Sequence, residues 1–214
     1  MLNRTFSIEQ TKKNFSKVVW FYDYWGNMTE SKAISEAISM SGISENQKVL
    51  EVGVGTGQMF KRILNENSKG FNFGIDLSKQ MIAQAKEKIR LTKVIHLLSV
   101  GNAFNLPYKN QSFDFLFSSY VMDLLPETSF TKILNEFKRV LNSNGTGILI
   151  TMSMGDNWYN KIWYLTAKYF PALLTNCRPV DLSGYLVSTG FNIVRREVVS
   201  QNTFPSEIII FRKK

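Results

Sequence analysis

Apolar residues change their period along the chain. Phe15, Val18, Val19 and Tyr22 recur at helical spacing beside Lys12, Lys13 and Lys17, which predicts an amphipathic N-terminal helix. A second helix is predicted from Ser31 to Met40, with Ala33, Ile34, Ala37 and Ile38 inward. The two make an N-terminal helical cap over residues 1–42. From about residue 47 to 153 the pattern alternates between short continuous apolar runs and amphipathic stretches. The runs are Lys48–Val52, Phe71–Ile75, Val94–Val100, Phe113–Phe117 and Ile148–Ile150. Between them lie helical patterns at Met59–Leu64, after Ser78, and from Phe130 to Leu141, the last closed by Asn144-Gly145. Strands that are apolar throughout need cover on both faces. Alternation with short connections then predicts an α/β fold, a doubly wound parallel sheet with helices on both sides.

The tail departs from this rhythm. Leu182, Tyr185, Leu186 and Ser188 predict a helix ending at Gly190. Phe191–Val194 and Ile208–Phe211 follow as strands with no helix between them. Strands joined in that way are antiparallel, so the sheet is expected to finish on a reversed edge.

Composition narrows the class. The 214 residues are 44% hydrophobic and 20% charged, enough for one sizeable core, and a single domain over 1–214 is expected. One cysteine, Cys177, excludes a disulfide framework, and with one histidine, His96, leaves too few ligands for a zinc centre; no metal is expected. A histidine-based triad is excluded on the same ground. No apolar run is long enough to span a bilayer, and MLNRTFSIEQTKK lacks the apolar core of a secretory signal. A soluble, cytoplasmic protein is expected. The net charge is +9, with +5 in residues 51–110, −2 in 111–160 and +5 in 161–214. That is either a lysine-rich solvated surface or a means of attraction to an anionic partner such as a membrane. There is no dense basic arm of the kind that binds nucleic acid.

The most specific segment is Val49-Leu50-Glu51-Val52-Gly53-Val54-Gly55-Thr56-Gly57-Gln58. The glycines leave a strand and open a helix, where they permit sharp turns and close approach of a ligand to the main chain. A nicotinamide-binding loop wants glycine where Gln58 stands; the spacing here is GxGxG, with Glu51 two residues ahead. Asp76 ends the second strand, 19 residues after Gly57, where a carboxylate can accept both hydroxyls of a ribose.

These segments, with GNAFNLPYKNQSFDFLFSSY and RVLNSNGTGILI after them, resemble the class I S-adenosylmethionine-dependent methyltransferases. VLEVGVGTG is similar to that family's first motif and GIDLSKQM to its second. The resemblance implies a Rossmann-like seven-stranded sheet of order 3-2-1-4-5-7-6 with strand 7 antiparallel. It implies S-adenosylmethionine as cofactor. Gly53, Gly55 and Gly57 would line its methionine and ribose portions, and Glu51 would lie near its amino-acid end. Asp76 would bind the ribose hydroxyls, and Leu77 and Met81 would pack on the adenine. Asn102, where the family usually has Asp, would bond the adenine amine beside Ala103. Ser118 and Ser119 would pass close to the sulfonium. The approach FYDYWGNMTESKAISEAI is similar to that of quinone-biosynthesis and phospholipid N-methyltransferases.

Methyl transfer from a sulfonium is an in-line displacement that rests on positioning, and only a hydroxyl or carbon acceptor needs a base. The catalytic candidates are Asp123, which follows strand four, and Tyr120 and Tyr22, which can orient a substrate. His96 and Cys177 read as structural. Trp158, Tyr159, Ile162, Trp163, Thr166, Tyr169 and Phe170 form one helical stripe. With its neighbours it reads as a helix packed on the protein's own core, as a substrate lid over residues 154–178, or as an interfacial helix in peripheral membrane contact. The function expected is methyl transfer to a small or lipid-like acceptor of quinone or phospholipid type. Alternatives are a soluble small-molecule O- or N-methyltransferase and a non-catalytic cofactor-binding module. Nucleic acid is not expected as substrate.

Overall fold

The computed structural model describes residues 26–154, 160–169 and 177–214. Helix α1 (Ser31–Ser41) leads into β1 (Lys48–Val52), α2 (Gln58–Glu66), β2 (Phe71–Asp76), α3 (Lys79–Lys88) and β3 (His96–Val100). After a loop come β4 (Phe113–Ser119), α4 (Phe130–Val140), β5 (Leu141–Met152), α5 (Asn160–Tyr169) and α6 (Ser183–Thr189). The described chain closes with β6 (Phe191–Gln201) and β7 (Phe204–Lys213). Phe15, Val18, Val19 and Tyr22 lie outside the described residues, as do Trp158, Tyr159 and Phe170.

The seven strands form one sheet in the order β3-β2-β1-β4-β5-β7-β6. β1 is parallel to β2 and β4, β2 to β3 and β4 to β5, whereas β7 is antiparallel to both its neighbours. The reversed strand is therefore interior, and the edge beyond it, β6, runs with the rest; the expectation of a reversed edge is corrected in this respect.

The period-2 alternation of side chains splits the core in two. Val49, Phe117, Ile148 and Ile150 pack with Ala33, Ile34, Ala37 and Ile38 of α1 on one face. Leu50, Leu116, Leu149 and Ile209 pack with Phe130, Ile133, Leu134 and Phe137 of α4 on the other. Burying each such side chain contributes about 1.5–3 kcal/mol. Helix starts and stops follow local chemistry. The Ser78 hydroxyl accepts from Met81 N–H at 3.3 Å to cap α3, and α6 stops at Gly190 in the left-handed region (φ 88°).

Two boundaries differ from expectation. α4 ends at Val140 and the chain is already extended at Leu141, so Asn144-Gly145 lies inside β5 rather than at a helix end. Asn142 reaches across to Asp114 (Nδ2 to Oδ1, 2.6 Å) and holds the extended backbone to β4. The two tail strands are also far longer than their apolar centres. β6 has 11 residues and β7 has 10, joined at Asn202-Thr203, both with positive φ (48° and 68°), as the twist of a two-residue hairpin demands. β6 is an edge strand with exposed Arg195 and Arg196, which breaks the apolar run.

The hairpin tip reaches back to the start of α1. Gln201 Nε2 donates to Asn27 O (2.7 Å), Asn202 Nδ2 donates to Met28 O (2.8 Å), and Lys32 N–H donates to Gln201 Oε1 (2.7 Å). The tip also holds α5, through Trp163 Nε1 to Thr203 Oγ1 (3.0 Å) and the Trp163 ring edge-on to Phe204. On α5, Ala167 is the buried side chain, while Ile162 (56%), Leu165 (48%) and Tyr169 (63%) are exposed. The expected stripe of Ile162, Trp163, Thr166 and Tyr169 is thus not a buried face. No helix among the described residues is long and apolar enough to cross a membrane.

Candidate functional site

The site is built on the loop between β1 and α2. Gly53 and Val54 both donate to Ile75 O (2.8 and 3.0 Å), which ties the loop to the end of β2. The three glycines all have positive φ (79°, 55° and 85°), but their surroundings differ. A Cβ on Gly53 would overlap the side chain of Val121, which follows β4. A Cβ on Gly57 would come 3.0 Å from that of Ala85, so this glycine lets α2 approach α3. A Cβ on Gly55 would meet nothing within 4 Å, because that face opens into a cleft. Gly53 and Gly55 line the cleft; Gly57 lies outside its wall and packs α2 against α3.

The cleft, about 850 Å³ and open to solvent, runs along the carboxyl ends of the central strands. Asp76, Leu77, Met81, Asn102, Ala103 and Ser119 line it. Asp76 Oδ2 accepts from Gly55 N–H (2.9 Å) and Oδ1 from Ser78 N–H (2.8 Å). Each oxygen keeps lone-pair capacity for a further donor. Burial pushes this carboxyl up, and the two backbone donors pull it back. Asn102 Oδ1 accepts from Phe104 N–H (3.0 Å), which folds the loop after β3 into a tight turn. Phe104, Val121, Leu124 and Leu125 complete the wall. The sequence reading missed them because nothing local separates them from core residues.

A second chamber, smaller and likewise open to solvent, lies beside the glycine loop and shares Gly53, Gly55, Ser119 and Tyr120 with the cleft. Two carboxylates face it. Glu51 is 1% exposed, and neither of its oxygens has a hydrogen-bond partner. Burial, and then the charge of Asp76, push it well above the usual carboxylate range. Glu30 is 6% exposed, makes no side-chain cap at the start of α1, and is pushed by burial to about 8. Glu30 was not a sequence candidate: it reads as an ordinary acid ahead of a helix, and only the tertiary fold buries it.

The catalytic candidates fare differently. Tyr22 lies outside the described residues. Tyr120 lines both spaces, but its hydroxyl turns inward to Ser206 Oγ (2.6 Å). Asp123 does not face the cleft, contrary to expectation. It is fully buried, its Oδ2 accepts from Met152 N–H (2.6 Å), and it lines neither space. The physical reason is that Met152 ends β5 with a backbone donor pointing at it. Ser118 is buried with an unpartnered hydroxyl outside both walls, while Ser119, one residue on, faces both. His96 sits on β3 with Nδ1 2.7 Å from Val94 O, edge-on to Phe60, and Cys177 is buried; neither lines the cleft or the chamber. No group of side chains able to hold a metal occurs among the described residues.

Residues 49–145 match the protein family described as "Methyltransferase domain". A demethylmenaquinone methyltransferase of Lactobacillus johnsonii is 27% identical over 210 residues, covering 91% of this chain and 84% of that protein. A malonyl-[acyl-carrier protein] O-methyltransferase of a Marinomonas species is 26% identical over 156 residues, 72% of this chain but only 56% of that one. Among solved structures, an S-adenosylmethionine-dependent methyltransferase from Methanosarcina mazei superposes with a TM-score of 0.69 at 19% identity, over 82% of this chain and 96% of its own.

Proposed function

We propose that this chain, as a class I S-adenosylmethionine-dependent methyltransferase, transfers a methyl group to a small, lipid-like acceptor of quinone type. The observation that carries this reading is the pairing of Asp76 with Gly55 at the mouth of a cleft whose wall is otherwise largely apolar.

Three features support the fit of the cofactor. Gly55 leaves its Cβ space open to the cleft. Asp76 offers two oxygens at the rim, suited to a pair of ribose hydroxyls. Glu51 has two buried oxygens without partners, suited to a cationic group. In this reading Leu77 and Met81 hold the adenine, with Asn102 and Ala103 at its edge and Ser119 beside the sulfonium. The bound cofactor supplies an electrophilic methyl. The chain's own task is to hold the acceptor in line with it and keep water out, which alone can supply about 7–11 kcal/mol of barrier reduction.

The acceptor class follows from the wall and from the relatives. Val121, Leu124 and Leu125 offer an apolar surface without fixed charge. One relative is by name a demethylmenaquinone methyltransferase, which favours a quinone-type acceptor. Exposed Ile162, Leu165 and Tyr169 beside Lys168 on α5 suit contact with an anionic membrane in which such an acceptor would reside.

Calorimetric titration with S-adenosylmethionine, S-adenosylhomocysteine and NAD tests the core of the proposal. Saturable binding of the two sulfur compounds, weakened at least tenfold in Asp76→Ala, is expected; binding of NAD alone overturns it. Release of S-adenosylhomocysteine with a demethylmenaquinol but not with a soluble catechol then tests the acceptor class. Co-sedimentation with anionic vesicles at low salt tests the membrane contact, and absence of binding there rejects it.

A further inference from the structure

The chamber beside the glycine loop has no counterpart in the sequence reading. Its lining includes Glu30, Glu51, Gly26, Gln58, Ser119 and Tyr120, with no lysine, arginine or histidine among the described residues. Both carboxylates are more than nine-tenths buried. Glu51 has no partner for either oxygen, and Glu30 makes no side-chain cap at the start of α1. Glu30 is held in place by its backbone, which donates to Gly26 O (2.8 Å) and accepts from Ile34 N–H (3.0 Å), so its side chain is carried on a fixed turn. Among the described residues no cationic side chain faces these two carboxyl groups; burying them in that way is costly, and the arrangement makes sense where a ligand brings the positive charge.

The position says which charge. The chamber shares Gly53, Gly55, Ser119 and Tyr120 with the main cleft, whereas Asp76, the ribose position, lines the cleft alone. A ligand whose ribose lies at Asp76 and whose sulfur lies by Ser119 can extend only its amino-acid tail into this space. We propose that Glu30, from the turn before α1, is a second acidic ligand beside Glu51 for the ammonium group of the cofactor's amino-acid tail. The proposal rests on the cofactor reading above and adds to it a residue outside the glycine-loop motif. It makes the turn at 26–30 part of the binding site, so that the site is completed from a segment that precedes β1.

The test compares two probes that differ only at the tail. S-adenosylhomocysteine carries the amino acid; 5′-methylthioadenosine keeps the adenine, ribose and sulfur but lacks it. Calorimetry on the whole protein is expected to show Glu30→Gln weakening S-adenosylhomocysteine by about 10- to 100-fold, as loss of a charged hydrogen bond does. Methylthioadenosine is expected to bind within about twofold of wild type, which also shows that the variant is folded. Equal affinity of wild type and variant for S-adenosylhomocysteine overturns the role of Glu30 and leaves the cofactor reading standing. Equal weakening of both probes also overturns it, because the tail is then not what Glu30 meets. Failure of the wild type to bind either probe instead rejects the cofactor reading itself.

Discussion

The hydroxyl of Tyr120 lies 2.6 Å from the hydroxyl of Ser206, a bond between the end of β4 and the start of β7 behind the cleft. Tyr120 itself is in the left-handed region (φ 53°), a conformation uncommon for an aromatic residue. Burial, and then the charges of Glu30 and Asp123, hold its phenol well above its ordinary value. A double-mutant cycle of Tyr120→Phe and Ser206→Ala in urea unfolding is expected to give a coupling of about 1 kcal/mol. Additive losses would mean that the two hydroxyls do not support each other.

The glycines of the loop are expected to separate under substitution. Gly53→Ala meets both a positive φ and the Val121 side chain, and Gly57→Ala meets a positive φ and Ala85. Each is expected to cost about 1–3 kcal/mol of stability. Gly55→Ala meets the positive φ (55°) but no neighbour, so it is expected to cost about 1 kcal/mol of stability from the backbone alone and to lose cofactor affinity besides, because its methyl stands in the open cleft. Thermal unfolding and calorimetry on the three proteins decide this; a Gly55→Ala protein that binds like wild type would place the ligand elsewhere.

Stability is expected to run against the usual acid trend. In the folded protein Glu30 holds its proton to about pH 8, while in the unfolded chain it releases it near its ordinary value of 4.5. Between those pH values the folded state binds more protons, so stability falls as pH rises and levels off above about 8. Glu51 and Asp123, both raised by burial, act in the same direction. Glu136 and Asp181 are lowered and act only on the acid side. Urea unfolding without ligand should show roughly 2–3 kcal/mol less stability at pH 8.5 than at pH 5.5. Glu30→Gln should flatten that slope and be the more stable protein at pH 8.5.

Cofactor affinity should move the other way. Glu30 must be ionised to meet an ammonium, and the titratable groups around it are Glu51 from β1 and Tyr120 and Asp123 after β4. S-adenosylhomocysteine is therefore expected to bind more tightly at pH 8 than at pH 6, and the trend should shrink in Glu30→Gln. A profile identical in the two proteins would assign the pH dependence to Glu51 alone.

Asp123 offers a cleaner contrast. Its Oδ2 receives the Met152 N–H, and burial raises its carboxyl well above the usual range. Asp123→Asn keeps an acceptor there and should stay within about 1 kcal/mol of wild type, whereas Asp123→Ala should lose about 2–3 kcal/mol in urea unfolding. If Asp123→Asn instead stayed folded and lost methyl transfer, the carboxyl would have to reach the acceptor after all.

What could be read from the chain was whatever local pattern encodes. The apolar run Val49–Val52, the glycine spacing after it and Asp76 ending β2 all carry their meaning within a few residues, and they led to the sheet and to the cleft rim. The hairpin of β6 and β7 was visible only at its apolar centres, because its edge strand alternates with arginines that face solvent. Glu30 was passed over and Asp123 named as catalytic for one reason: a carboxylate's exposure is decided by what packs on it, and that is set by segments distant in sequence. Gly57 was assigned to the ligand because the motif groups it with Gly55, although the fold gives it to Ala85.

The clasp between the hairpin tip and the start of α1 sets an order in time. Gln201 and Asn202 hold the backbone of Asn27 and Met28, a separation of 174 residues, and Glu30 stands on the turn they secure. At a synthesis rate of about 5–20 residues per second, the segment carrying Glu30 waits on the order of 10–30 s for its partners to emerge. The sheet from β1 to β5 can assemble on the ribosome in that interval, but the wall that bears Glu30 cannot be clasped. A nascent chain is therefore expected to acquire its main cleft well before it acquires the smaller space that bears Glu30.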